Sequence, residues 1–291
     1  MEQHDTHTGP AKTRLVAAYQ GEPGAYAEAA LLAHFGDRAQ PVSRTTFHEV
    51  FEAVAAGEAD TGVVPIENSL NGSVFENYDL LLEHNLHIVG EVTVPVRHAL
   101  LAPPGTTLDD VTHVYSHPQA LAQCMRYLRD HSLEPRNAYN TAGAAQDVAS
   151  KLEPGAAAIA SARAAELYEL DVLATDIQAR SDNTTRFFVI ARERADDAQP
   201  TKVSVVYTTH NEPGALFASL ETFAAMQLNL TKIESRPTRD TQWEYYFYVD
   251  FERADGSPFD DDSLRHLLAR LESKLAFLRL LGAYRPDPPA A

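Results

Sequence analysis

The sequence predicts an α/β fold followed by a separate α+β unit, and three observations carry that expectation. Short apolar runs of strand length alternate with segments of helical period through the first two thirds of the chain. The stretch ARERADDAQP, residues 191–200, combines charge and a proline with no apolar period and marks a boundary. Beyond it the elements read strand, helix, strand, strand, helix, strand, the βαββαβ order that closes into a four-stranded antiparallel sheet with two helices on one face. At about 150 residues per domain, 291 residues leave room for two domains.

The elements follow in order. Residues 1–13 carry no period and read as a tail; His4 and His7 within it are a weak metal signal. Residues 15–19 form a buried strand, and Gly21, Pro23 and Gly24 turn it into a helix whose stripe is Ala25, Ala29, Leu32 and Phe35. Phe47, Val50, Phe51 and Val54 mark a second helix stopped by Gly57, and residues 61–66 a strand. A helix over residues 74–82 precedes a long apolar strand region, 86–96. Further on come a strand at 111–115, a helix after Pro118, a helix capped by Asn140, a strand at 156–160, a short helix at 162–167 and a strand at 172–177. This alternation predicts largely parallel sheets covered on both faces. Past the boundary the strands fall at 203–207, 230–235, 245–251 and 277–281, with helices at 216–223 and 264–271.

Composition narrows the function classes. Hydrophobic residues at 44% and charged residues at 22% are ordinary for a folded chain. A net charge of −17 repels polyanions and anionic membranes, so neither nucleic acid nor a membrane is an expected partner. The single cysteine, Cys124, excludes an intrachain disulfide framework and fits a reducing, cytoplasmic location. The P-loop, HExxH and GxSxG motifs and the full dinucleotide fingerprint are all missing from the sequence.

Three polar loops stand at strand ends, where open α/β sheets bind small ligands. In the run from Glu67 through Asn68, Ser69 and Asn71 to Ser73, Ser73 either caps the following helix, with Glu76 completing a capping box, or the helix amides receive an anion. Ser116 reads as the cap of the helix opened by Pro118; His117 is held toward its neutral form there, and Gln119 follows. Thr185 and Arg186 begin an apolar strand with side chains on opposite faces, and Arg186 is either a paired surface group or a carboxylate clamp.

Together these motifs resemble the prephenate dehydratase family. The likeness rests on Gly21-x-x-Gly24-Ala25-Tyr26, on residues 64–69 (VPIENS) with Gly72-Ser73-Val74, on residues 116–121 (SHPQAL) and on Thr185-Arg186-Phe187. The second domain resembles an ACT regulatory domain through Gly214-Ala215-Leu216 and residues 230–237 (LTKIESRP). Two departures are Ala27, where many relatives carry serine, and Ala179-Arg180-Ser181-Asp182 ahead of the Thr185 motif. The resemblance implies an α/β catalytic region of two lobes, similar to the periplasmic binding proteins, with its site in the cleft. Lobe 1 would span about 14–91 and 185–195, lobe 2 about 92–178, and the ACT domain 200–284, followed by a tail at 285–291.

The implied lyase reaction is the decarboxylative dehydration of prephenate to phenylpyruvate, water and carbon dioxide in L-phenylalanine biosynthesis, with feedback by phenylalanine. It needs no cofactor and no metal. Thr185 is expected to donate a hydrogen bond to the leaving hydroxyl and Arg186 to anchor a carboxylate. Glu67 is expected as an orienting group, with Asn68, Ser69, Ser73, Ser116, His117 and Gln119 as polar contacts. The effector site is expected at Gly214, Ala215, Leu216, Glu234 and Ser235, in a homodimer or homotetramer. The alternatives are arogenate dehydratase and a non-catalytic amino-acid sensor. Residues 1–13 are too short for the helical chorismate mutase domain found upstream in some relatives, so prephenate is expected from another protein.

Overall fold

The computed structural model describes residues 14–195, 199–238 and 243–288; the expected tail at residues 1–13, with His4 and His7, lies outside them. Lobe 1 opens with β1 (Leu15–Gln20), α1 (Tyr26–Phe35), β2 (Ala39–Arg44), α2 (Phe47–Ala56), β3 (Thr61–Asn68), β4 (Gly72–Ser73), α3 (Phe75–Glu83) and β5 (His87–Pro95). The chain crosses to lobe 2, which holds β6 (Ala99–Ala102), β7 (His113–Ser116), α4 (Pro118–Gln123), α5 (Met125–Asp130), β8 (Glu134–Asn137), α6 (Thr141–Lys151), β9 (Ala156–Ala160), α7 (Ala162–Tyr168) and β10 (Asp171–Ala174). It returns to lobe 1 through β11 (Thr184–Ala191). The chain thus forms two α/β lobes, the first closed by a strand that returns from the second.

Each lobe is built on one mixed sheet. The first runs β2-β1-β3-β11-β5 with β4 beside β3, the second β10-β6-β9-β7-β8. The expectation of largely parallel sheets is corrected here: β1, β2 and β3 are parallel, but β11 is antiparallel to both neighbours, as β6 is to β9 and β10. The strands that carry the chain between the lobes enter from the opposite end. The lobe border shifts as well, because residues 92–95 stay in lobe 1, paired with β11.

Local chemistry explains the elements. Thr46 accepts the Glu49 amide at 3.2 Å and Glu49 accepts that of Thr45 at 2.7 Å, which starts α2; Gly57, at φ 81°, ends it in the left-handed region. Asn140 caps α6 as expected. In β11 the run from Phe187 to Ile190 is buried on both faces: Phe188 and Ile190 pack under α2 and α3, Phe187 and Val189 under α1.

The third unit consists of β12 (Lys202–Thr208), α8 (Ala215–Ala225), β13 (Leu228–Pro237), β14 (Tyr245–Arg253), α9 (Asp261–Glu272) and β15 (Phe277–Tyr284), with antiparallel sheet order β13-β14-β12-β15. Alternation along β12 divides its contacts. Val203, Val205 and Tyr207 pack with Phe223, Leu267 and Leu271 of the two helices, whereas Val206, Tyr248, Leu281 and Tyr284 join the core of lobe 1. The polar residues on the lobe 1 side form a buried ionic cluster. Arg186 meets Glu91 at 3.1 Å and Asp250 at 2.7 Å, and Lys202 meets Glu91 at 2.8 Å. Residues 285–288 are not a free tail. Pro286 bridges to Glu91, and Asp287 pairs with His34 at 2.6 Å.

Candidate active site

Three helices begin at the cleft between the lobes. The cleft, about 610 Å³, is lined by Ala25, Tyr26 and Ala27 at the start of α1, Gln119 and Ala120 at the start of α4, and Asn140 and Thr141 at the start of α6. No side chain caps α1, so its first-turn amides keep their donors. None of the described residues lining the cleft is a lysine, arginine, aspartate or glutamate. The cleft is polar through amides, hydroxyls and imidazoles.

Asn68, Ser73, His117, Gln119 and Thr185 all line it. Thr185 has a defined polarity. The Asn68 carbonyl oxygen accepts from the backbone amides of Leu70 and Asn71, both at 3.1 Å, and from the Asn71 side-chain amide at 2.8 Å. That fixes the side-chain orientation and turns Nδ2 toward Thr185 Oγ1 at 3.0 Å, where it donates. The threonine oxygen thus accepts from Asn68, and its own proton is left for a partner in the cleft.

The same chain of bonds runs on through residues that sequence reasoning did not single out. Asn68 also donates to Asn183 at 2.7 Å, and Asn183 donates to Gln123 at 3.1 Å. Gln123 Oε1 lies 2.8 Å from His98 Nε2, and His98 Nδ1 lies 3.0 Å from the Tyr26 hydroxyl. Two of these were findable by spacing. Asn183 shares a face with Thr185 at two residues' distance, and Gln123 follows Gln119 by one helical turn. His98 had no such signal.

Burial lowers the pKa of both cleft histidines, at His98 against a hydrogen bond that its Nε2 donates to Gln123 Oε1 and that works the other way. At His117, Nδ1 accepts the Gln119 amide at 3.3 Å, which leaves Nε2 as the N–H donor of a neutral ring. His117, not Ser116, caps α4. Ser116 is fully buried and donates to the Ile159 carbonyl at 2.6 Å, tying β7 to β9.

Four further expected site residues stand otherwise than the sequence suggested. Arg186 does not anchor a ligand: it sits on the opposite face of β11 from Thr185, held by Glu67, Glu91 and Asp250. Glu67 faces Arg186 and Lys232; burial alone would raise its pKa, but these cations outweigh that and hold it below the usual carboxylate range. Ser69 exchanges bonds with Asp182 and Thr184, closing the loop against β11. Ser73 does not cap α3, whose cap position is Val74 and which has no side-chain cap. It donates to Glu234 instead, at 2.6 Å.

A second concavity, about 340 Å³, lies at the start of α8, where Gly214 adopts φ 86°. Gly214, Ala215 and Leu216 line it with Phe217, Trp243 and Tyr245. Glu234 and Ser235 are not among its described lining residues: Glu234 reaches the catalytic lobe, and Ser235 is on the exposed face of the edge strand β13.

Comparison with known proteins adds the family. The profile "Prephenate dehydratase" matches residues 17–195 and the profile "ACT domain" residues 203–258. Arogenate dehydratase/prephenate dehydratase 2, chloroplastic, of Arabidopsis thaliana is 45% identical over 290 residues, covering 94% of this chain and 74% of its own. A prephenate dehydratase from Arthrobacter aurescens in complex with L-Phe superposes with a TM-score of 0.83 at 32% identity, covering 95% of this chain and 92% of its own. A structure described as GqqA, a novel type of quorum quenching acylase, gives a TM-score of 0.84 at 33% identity, covering 94% of this chain and 98% of its own. The cytoplasmic location expected from composition is overturned by the Arabidopsis relatives, whose names are chloroplastic.

Proposed function

Since the chain belongs to the prephenate dehydratase family, and is a lyase acting on a prephenate- or arogenate-type substrate with an ACT domain attached, we propose that it converts prephenate to phenylpyruvate under feedback by L-phenylalanine. The working division is residues 14–195 for catalysis and 200–284 for a βαββαβ regulatory domain, in line with the two profile matches.

One observation carries the choice of prephenate: none of the described residues lining the cleft is a carboxylate that would take up the ammonium group of arogenate. The unused amides at the start of α1, with the starts of α4 and α6 beside them, suit a dianion better than a zwitterion. In the reaction the ring carboxylate leaves as carbon dioxide and its bonding pair enters the ring. The C4 hydroxyl departs with one added proton, as water. Dianion plus proton gives phenylpyruvate monoanion, carbon dioxide and water, so a single donor at the leaving oxygen suffices. Thr185 is that donor: Asn68 occupies its oxygen and leaves its proton available, and a neutral hydroxyl supports developing charge without a counter-ion. Solvent restores the proton.

Phenylalanine fits the concavity at the start of α8, its carboxylate toward the Ala215 and Leu216 amides and its ring toward Trp243 and Tyr245. The exposed side chains of Phe217, Ile233 and Trp243 support a homodimer or homotetramer formed through this unit.

The test is turnover of the purified chain on prephenate and on arogenate, with phenylalanine titrated in. Phenylpyruvate formed faster than phenylalanine from arogenate, and suppressed by phenylalanine, is the expected result. A faster arogenate reaction reverses the substrate assignment, and no turnover of either with retained phenylalanine binding makes the chain a sensor.

A further inference from the structure

One edge strand of the regulatory unit reaches the wall of the cleft. From Lys232 onward, past an irregularity after Leu230, every second side chain of β13 points at lobe 1. Lys232 Nζ donates to Glu67 at 2.9 Å and to Ser73 Oγ at 2.8 Å, Glu234 accepts from Ser73 at 2.6 Å, and Arg236 is held by Asp79 at 2.8 Å. Lys232 is buried, with 8% of its side chain exposed, and its ammonium lies 5.8 Å from the centre of the Tyr78 ring.

The bonds at Ser73 leave it little freedom. An ammonium only donates, so the serine oxygen must accept from Lys232; an ionised carboxylate only accepts, so the serine proton goes to Glu234. One lone pair of Ser73 remains, and Ser73 lines the cleft. Without the two β13 groups the hydroxyl would rotate and offer a proton instead.

We propose that Lys232 and Glu234 are positioning residues of the dehydratase: they hold Ser73 as an acceptor toward the substrate, and a regulatory signal that displaces β13 acts on the cleft by releasing it. The proposal rests on the dehydratase reading above and adds to it the device by which the regulatory unit acts on the site.

The experiment is a double-mutant cycle on the full chain, with no effector present. Lys232→Met and Glu234→Met are each expected to lower kcat/KM about tenfold, the range of a lost charge-assisted hydrogen bond. Ser73→Ala is expected to do the same, and adding either β13 change to Ser73→Ala is expected to lower it no further. Glu234→Gln, which keeps an acceptor for the serine proton, recovers part of the loss. Arg236→Gln breaks a contact of the same strand outside the cleft and keeps wild-type kcat/KM, with a lowered melting temperature. Losses that multiply in the Ser73→Ala background, or an Arg236→Gln loss equal to that of Lys232→Met, overturn the positioning role and leave the dehydratase standing. A wild-type chain that turns over neither substrate overturns both, and is recognised before any variant is compared.

Discussion

At the scale of single residues, the donor state of Thr185 is set by Asn68, and Asn68 by the amides of its own turn. Thr185→Ala is therefore expected to lower kcat by about 100-fold or more, the usual contribution of a positioned proton donor, while Thr185→Ser keeps a measurable fraction; phenylpyruvate formation reads both. The cleft histidines give a second expectation. His98 and His117 have folded-state pKa values below 6.5, so the unfolded chain binds more protons in the window beneath that value. Stability is complete above about pH 6.5 and falls as the pH drops toward the folded values. Melting temperatures measured downward from neutrality should fall, and less steeply in His98→Gln. The sequence made Thr185, Asn68, Ser73, His117 and Gln119 legible because each stands at a strand end or helix start. It misdirected Arg186, since an arginine looks the same whether it meets a substrate carboxylate or three carboxylates of its own protein.

Among the elements, apolar strands announced themselves, edge strands such as β5 and β15 included, and two short proline-containing edge strands did not. The runs of β9 and of β11 from Phe187 onward are apolar. β2 and β8 lie at sheet edges and contain Pro41 and Pro135, and neither was among the strands expected from the sequence. Helix caps divide similarly: Asn140 was legible as a cap, whereas Ser73 and Ser116 were claimed by tertiary partners that no local pattern shows. For α2, removing the cap by Thr46→Ala is expected to cost about 1 kcal/mol. Denaturant melts should show a shifted midpoint with an unchanged slope.

Across the whole molecule, the regulatory sheet and lobe 1 share a buried ionic cluster. Arg186, Lys202 and Lys232 face Glu67, Glu91 and Asp250, and burial of the Arg186 charge is outweighed by Asp250 and Glu91, which hold it protonated. Arg186→Met takes from the buried Asp250 its cation and leaves Glu91 with Lys202 alone, and is expected to destabilise the chain by about 3–5 kcal/mol, measured by denaturant unfolding. The backbones also meet closely. A Cβ at Gly282 would lie 2.1 Å from the Ile88 carbonyl oxygen, so Gly282→Ala should loosen the sheet from lobe 1 and expose the joint at residues 191–200 to protease. A cleft with amides where another enzyme would place a guanidinium has a kinetic consequence. Its hold on an anion scales with that anion's charge, so the reaction itself, by turning a dianion and a proton into a monoanion, neutral carbon dioxide and water, loosens the grip and speeds departure of the product.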